Sequence, residues 1–149
     1  MRSHILDTSA IHTLCFANPP EKWRLVWDGV RSGRARLVLL EPIVSEMASR
    51  LARQYGRERV ESTVRFLKGL GRTDIYIPDD PAALEAGFLH GLQRHDLSLV
   101  DATIIVAAIR NRAMLVTHDG SMRDVAEGLG VRVSWLPLAK REGMPSSAQ

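Results

Sequence analysis

Cysteine is almost missing from this chain: Cys15 is the single copy. One thiol excludes an intramolecular disulfide framework and a cysteine-built zinc site. Lying on an apolar helix face, it reads as packing rather than as a nucleophile. The histidines His4, His12, His90, His95 and His118 show no zinc-ligand spacing. No apolar run is long enough to cross a bilayer. Met1-Arg2-Ser3-His4 leads straight into a strand-like run, without the apolar stretch and cleavage site of a signal peptide. The expectation is a cytoplasmic protein with no membrane partner. The phosphate-cradling patterns G-x-x-x-x-G-K-[ST] and G-x-G-x-x-G do not occur. Lysine is absent between Lys68 and Lys140, and only Asp7 follows the first strand-like run, which argues against a phosphoryl-accepting receiver. A haloacid-dehalogenase-like site needs a second Asp two residues after the first, where Ser9 stands.

What is present is an ordinary globular composition. With 149 residues, 45% apolar and 25% charged, the chain fits one domain with a substantial core. Hydrophobic patterning predicts strands at 4–6, 36–40, 75–77, 114–117 and 131–135. Helices are predicted at 9–16, from about Pro20 to Arg31, from Pro42 to Gly56, and over 57–70, 81–93, 98–112 and 120–129. Asp80 reads as the cap of the fifth helix, with Pro81 in its first turn. Strands separated by helices imply parallel pairing through right-handed crossovers, with helices on both faces. The expected fold is therefore a three-layer α/β/α domain over 1–136 with a central parallel sheet of about five strands. Residues 137–149 read as a mobile tail.

Charge is unevenly spread. Residues 50–72 hold seven basic side chains against Glu58 and Glu61, a local +5 in a chain of net +3. The bland explanation is a solvated helical face. The functional one is a surface for a phosphate backbone, with Arg50, Arg53 and Arg57 as the RNA-contacting candidates.

Four carboxylates carry the sharper signal: Asp7, Glu46, Asp101 and Asp119. Asp7 and Asp119 directly follow the strand-like runs Ser3–Leu6 and Met114–His118. Glu46 and Asp101 fall in the first turns of helix-like segments. In a parallel sheet these positions share the edge where ligands bind. Each acid alone has a structural explanation: Asp7 and Asp119 as helix caps, Asp101 in a capping box with Ser98, Glu46 at the surface. Together they exceed what capping requires. Two like charges ~4 Å apart cost about 4 kcal/mol at an effective dielectric of 20. No cationic residue is placed among them by sequence, so a divalent metal is the simplest counter-charge, and all-oxygen ligands suit Mg²⁺ or Mn²⁺. Ser9 and Thr117 are candidates to orient the carboxylates. His118 abuts Asp119 and could assist the chemistry, although a strand-end histidine is more often merely solvated. Trp23 and Trp27, one helical turn apart, read as core or as an interface strip.

These segments resemble a known family. Ile5-Leu6-Asp7-Thr8-Ser9-Ala10-Ile11 is similar to the opening motif of PIN-domain ribonucleases. Pro42-Ile43-Val44-Ser45-Glu46-Met47, Leu97-Ser98-Leu99-Val100-Asp101-Ala102 and Leu115-Val116-Thr117-His118-Asp119 resemble its second, third and fourth acidic motifs. Within that family the chain resembles the VapC-like toxins of toxin–antitoxin pairs. Two features depart: Pro42 precedes the second acid, and Gly120-Ser121-Met122 replaces a charged-aromatic stretch. The resemblance implies a Mg²⁺- or Mn²⁺-dependent endoribonuclease in which water attacks the phosphodiester. Asp7, Glu46 and Asp101 would be primary ligands and Asp119 a second-metal or water-mediated one, for one or two ions about 3.5–4 Å apart. It also implies a homodimer and a small antitoxin partner, with the helix near 20–31 contributing to one of these contacts. The alternatives are a catalytically silent module that binds RNA or protein, and a housekeeping RNA-processing nuclease.

Overall fold

A computed structural model describes residues 1–92 and 96–138. In chain order the elements are β1 (Arg2–Leu6), α1 (Thr8–Phe16), α2 (Glu21–Arg31), β2 (Ala35–Leu40), α3 (Glu41–Tyr55) and α4 (Arg57–Gly69). They continue with β3 (Thr73–Tyr76), α5 (Asp80–Leu92), α6 (Leu99–Asn111), β4 (Met114–Thr117), α7 (Gly120–Gly128) and β5 (Val133–Trp135). The five strands form one parallel sheet in the order β3-β2-β1-β4-β5. Helices flank it in a three-layer α/β/α arrangement.

This order creates the crevice. The chain steps outward from β1 through β2 to β3, then returns through α5 and α6 to β4, on the other side of β1. Strand order reverses between β1 and β4, and in open parallel sheets ligands bind outside the carboxyl ends at such a point. Register then decides which residues meet there. Leu6 lies opposite Val116, and the Asp7 amide donates to the Val116 carbonyl at 3.3 Å. Asp7 is thereby brought beside Thr117.

The core explains why this edge is firm. Ile5, Leu37, Leu39, Leu40, Leu115 and Val116 are all essentially inaccessible, so the central strands are buried on both faces. Against them packs α6, whose Ala102, Ile104, Ile105, Ala107 and Ala108 are buried. Each large aliphatic side chain so buried contributes about 1.5–3 kcal/mol. Ile43, Met47 and Leu51 form the buried stripe of α3. Gly56, at φ +84°, ends α3 and lets α4 begin at the next residue.

The elements agree with the sequence reading in number and type, and differ in some bounds. The third strand is Thr73–Tyr76 rather than 75–77, because pairing with β2 runs from Leu37↔Thr73 to Leu40↔Tyr76. It is an edge strand, so neighbour pairing and the Arg36–Asp74 ion pair at 2.8 Å set its limits more than apolar content does. Asp79, not Asp80, caps α5: its Oδ1 accepts from the Ala82 amide at 2.9 Å, and Asp80 is already helical. Both tryptophans of α2 are core residues, Trp23 fully buried and Trp27 packed against Phe66 at 6.2 Å between centroids. The expected end of the fifth helix at Gln93 and the tail from 139 to 149 lie outside the described residues.

Candidate active site

Asp7 stands at the centre of the site. As N-cap of α1 it accepts the Ala10 amide at 2.8 Å on Oδ1, which also accepts the Ser9 hydroxyl at 2.7 Å. Its Oδ2 accepts a short hydrogen bond from the Thr117 hydroxyl. Thr117 is fully buried at the end of β4, and its oxygen in turn accepts the Asp119 amide at 2.9 Å. Thr117 thus couples the two strand-end acids directly. Asp119 caps α7, its Oδ1 accepting the Ser121 and Met122 amides at 2.9 and 3.1 Å. Ser9 and Thr117 thus each donate a hydroxyl hydrogen bond to the Asp7 carboxylate.

Asp101 opens α6 in a full capping box. Ser98 Oγ accepts the Asp101 amide at 3.0 Å, and Asp101 Oδ2 accepts the Ser98 amide at 3.3 Å. Glu46 is half-buried on α3, in the second turn rather than the first, because the helix begins at Glu41. It also has a cationic neighbour that the sequence reading did not place: Arg50 Nε lies 3.9 Å from Glu46 Oε1, one turn along the helix. Arg50, Arg53 and Arg57 are all exposed, so the basic face begins beside the acidic group. Arg57 pairs with Glu61 at 2.8 Å.

The electrostatics tie the acids together. Burial drives the Asp7 pKa upward, and the Asp101 charge adds to this, against hydrogen bonds from Thr117, Ser9 and Ala10. Asp101 is also raised, first by burial and then by the charges of Asp119 and Glu46, with Ser98 opposing. Two acids in one crevice are therefore harder to ionise, chiefly because they are buried and in smaller part because other acids face them.

Whether a hard divalent cation suits these residues follows from chemistry and geometry separately. An all-carboxylate donor set matches Mg²⁺ or Mn²⁺, and the excess negative charge is what such an ion would neutralise. Among the described residues, however, no three His, Cys, Asp or Glu side chains stand as a ready cage for an ion. Asp7, Asp101 and Asp119 are each engaged with backbone or hydroxyl donors instead. The residues fit the ion by donor type and charge, while three of the four carboxylates are engaged in capping contacts.

His118 departs from expectation. It is half-buried and fully engaged rather than solvated. Nδ1 lies 2.8 Å from the Leu136 carbonyl and Nε2 lies 2.7 Å from the Thr13 hydroxyl. Its ring rests 4.3 Å from that of Trp23. Thr13, Trp135 and Leu136 carry no motif signal; only their long-range contacts, over chain separations of up to 105 residues, reveal them.

A parallel α/β protein with an acidic crevice at its strand-order reversal is the class this geometry defines. The model of the PIN domain family matches residues 4–128, and the chain belongs to that family. Among solved structures, VapBC2 from Rickettsia felis, bound to a promoter DNA fragment, is 14% identical with a TM-score of 0.66, covering 89% of this chain and 98% of that one. DNA-bound VapBC from Salmonella typhimurium is 20% identical with a TM-score of 0.65, covering 91% and 98%. The sarcin-ricin-loop-cleaving toxin VapC20 from Mycobacterium tuberculosis is 17% identical with a TM-score of 0.59, covering 81% and 93%. At these identities the likeness is one of fold. No curated protein matches the sequence at a significant level. Among the described residues no helix is long and apolar enough to cross a membrane.

Proposed function

We propose that this PIN-family chain is a Mg²⁺- or Mn²⁺-dependent endoribonuclease, the toxin of a type II toxin–antitoxin pair acting in the cytoplasm. The observation that carries the reading is the coupling of Asp7 to Asp119 through Thr117 at the β1/β4 crevice, with Asp101 and Glu46 acting on the same field. Asp7, Glu46, Asp101 and Asp119 would hold the ion. When bound, it would polarise the scissile phosphodiester and lower the pKa of an attacking water. Ser9 and Thr117 orient the Asp7 carboxylate, each through one hydroxyl. Arg50, Arg53 and Arg57 lie on the exposed face leading away from Glu46, placed to follow an RNA backbone.

Two partner surfaces support the toxin reading. A groove of about 450 Å³ between α1, α2 and α4 is lined by Cys15, Trp27, Arg31, Arg59 and Phe66. Its mixed lining, with Arg31 and Arg59 beside Trp27 and Phe66, suits an acidic amphipathic antitoxin segment. Separately, Leu84, Phe88 and Leu92 recur every four residues along α5 and are 58, 61 and 80% exposed. Such a stripe can pair with its own copy across a two-fold axis, as a homodimer requires.

The open cage favours one competing reading, a silent PIN module that binds RNA without cutting it. The purified protein, incubated with single-stranded RNA in Mg²⁺ or Mn²⁺, separates the two. Cleavage that stops with EDTA and returns with added metal is the expected result. RNA retained intact on the protein in both ions establishes the silent module instead.

A further inference from the structure

Nothing in the acidic motifs explains why His118, a residue that is neither ligand nor core aliphatic, has every polar atom engaged. A carbonyl can only accept, so the contact with Leu136 at 2.8 Å places the ring hydrogen on Nδ1. In the neutral ring Nε2 then accepts the Thr13 hydroxyl at 2.7 Å. The backbone is used as fully: the His118 amide donates to Ser9 Oγ at 3.2 Å, and its carbonyl accepts Trp135 Nε1 at 3.1 Å. These partners sit on α1, on β5 and just beyond β5.

The Ser9 hydroxyl in turn donates a hydrogen bond to Asp7, and residue 119 follows in the chain. The histidine is therefore joined to one acid through Ser9 and to the other through its peptide bond. We propose that His118 is a positioning residue, a clamp that fixes α1 against the segment after β5 and so holds Asp7 and Asp119 in register. The proposal deepens the nuclease reading, and its bearing on metal affinity rests on that reading. Its geometric content does not: a hub joining α1, β4 and the post-β5 segment governs how tightly the capping amides of both acids are held, metal or none.

Amide hydrogen exchange in the metal-free protein tests the clamp, with Mn²⁺ titration calorimetry beside it. The proteins are the wild type, His118→Ala, His118→Gln and Thr13→Val. Thr13→Val removes the donor to Nε2 at nearly constant shape, and carries the test should His118→Ala fail to fold. Protection of the Ala10 amide, which donates to Asp7, and of the Met122 amide, which donates to Asp119, should fall about tenfold in Thr13→Val and His118→Ala. Val38 in β2 should keep its protection, and His118→Gln should restore part of the loss. The Mn²⁺ dissociation constant should rise about tenfold in the same two variants, the scale seen when supports of metal ligands are removed. Unchanged protection at Ala10 and Met122 overturns the clamp. Unchanged Mn²⁺ affinity in variants that have lost protection overturns its role at the site. A wild type that binds no Mn²⁺ defeats the metal reading, while the exchange data still decide the clamp.

Discussion

Asp7 accepts three hydrogen bonds on two oxygens and still sits where its charge is disfavoured. The donors orient the carboxylate without offsetting its burial and the Asp101 charge. This has a sign. A carboxyl whose folded pKa is raised contributes stability below its unfolded pKa, and that contribution is lost as pH rises through the folded value. Asn at position 7 keeps the capping oxygen and carries no charge. The Asp7→Asn variant should therefore be more stable than wild type at pH 7, with the gap in urea midpoint growing as pH rises from about 4, the unfolded carboxyl value. A gap that is constant with pH, or a less stable Asn variant at pH 7, would show that the three hydrogen bonds outweigh burial. Nuclease activity should vanish in the same variant, a separation of stability from function usual for strained sites.

At the scale of elements, α3 and α4 carry the basic face and the acidic Glu46 on one helical hairpin. The ion pair between Arg50 and Glu46 links the two charged patches, and Gly56 sets the bend between the helices. If RNA follows this face, Arg53→Ala with Arg57→Ala should weaken RNA binding. It should also flatten the salt dependence by about 0.7 per lost phosphate contact. Fluorescence anisotropy across a salt series measures this, and an unchanged slope returns the face to a solvated surface.

Much of this level was legible in sequence, and the failures have physical causes. Strands, helices and three helix-capping acids follow from local patterns: the Ser98–Asp101 box, the Asp7 and Asp119 caps, the apolar run of α6. The bounds of β3 come from its neighbour in the sheet, which no local pattern encodes. The cap of α5 moved one residue, from Asp80 to Asp79, since two adjacent aspartates offer the same signal. The Arg50–Glu46 pair is legible from spacing alone, as residues one turn apart on a helix, although Arg50 lies outside the acidic motifs. The sequence marks His118 only as the neighbour of Asp119; its partners at 13 and 136 lie on distant segments that no local pattern joins to it.

For the whole molecule, topology does most of the work. Placing β1 at the centre and β4 across the reversal brings Asp7 and Asp119 to one crevice from positions 112 residues apart in the chain. The same fold leaves the stripe of α5 uncovered. With both tryptophans of α2 committed to the core, α5 is the better candidate for self-association. Light scattering at micromolar concentration should give twice the 16.6 kDa chain mass. Phe88→Glu should return the protein to a monomer with its melting temperature little changed, since the side chain is largely exposed. A wild-type monomer contradicts the dimer, and a dimer that survives Phe88→Glu moves its interface elsewhere.

The acidic crevice as the centre of RNA cleavage is tested most directly by Asp101→Asn. Asn keeps the side-chain oxygen that accepts from Ser98 and deletes only the charge. Initial rates on a single-stranded RNA at saturating Mn²⁺ should fall at least about 100-fold, or about 2.7 kcal/mol in barrier, with the circular dichroism spectrum unchanged. A folded Asp101→Asn protein that cuts RNA at the wild-type rate would contradict the account.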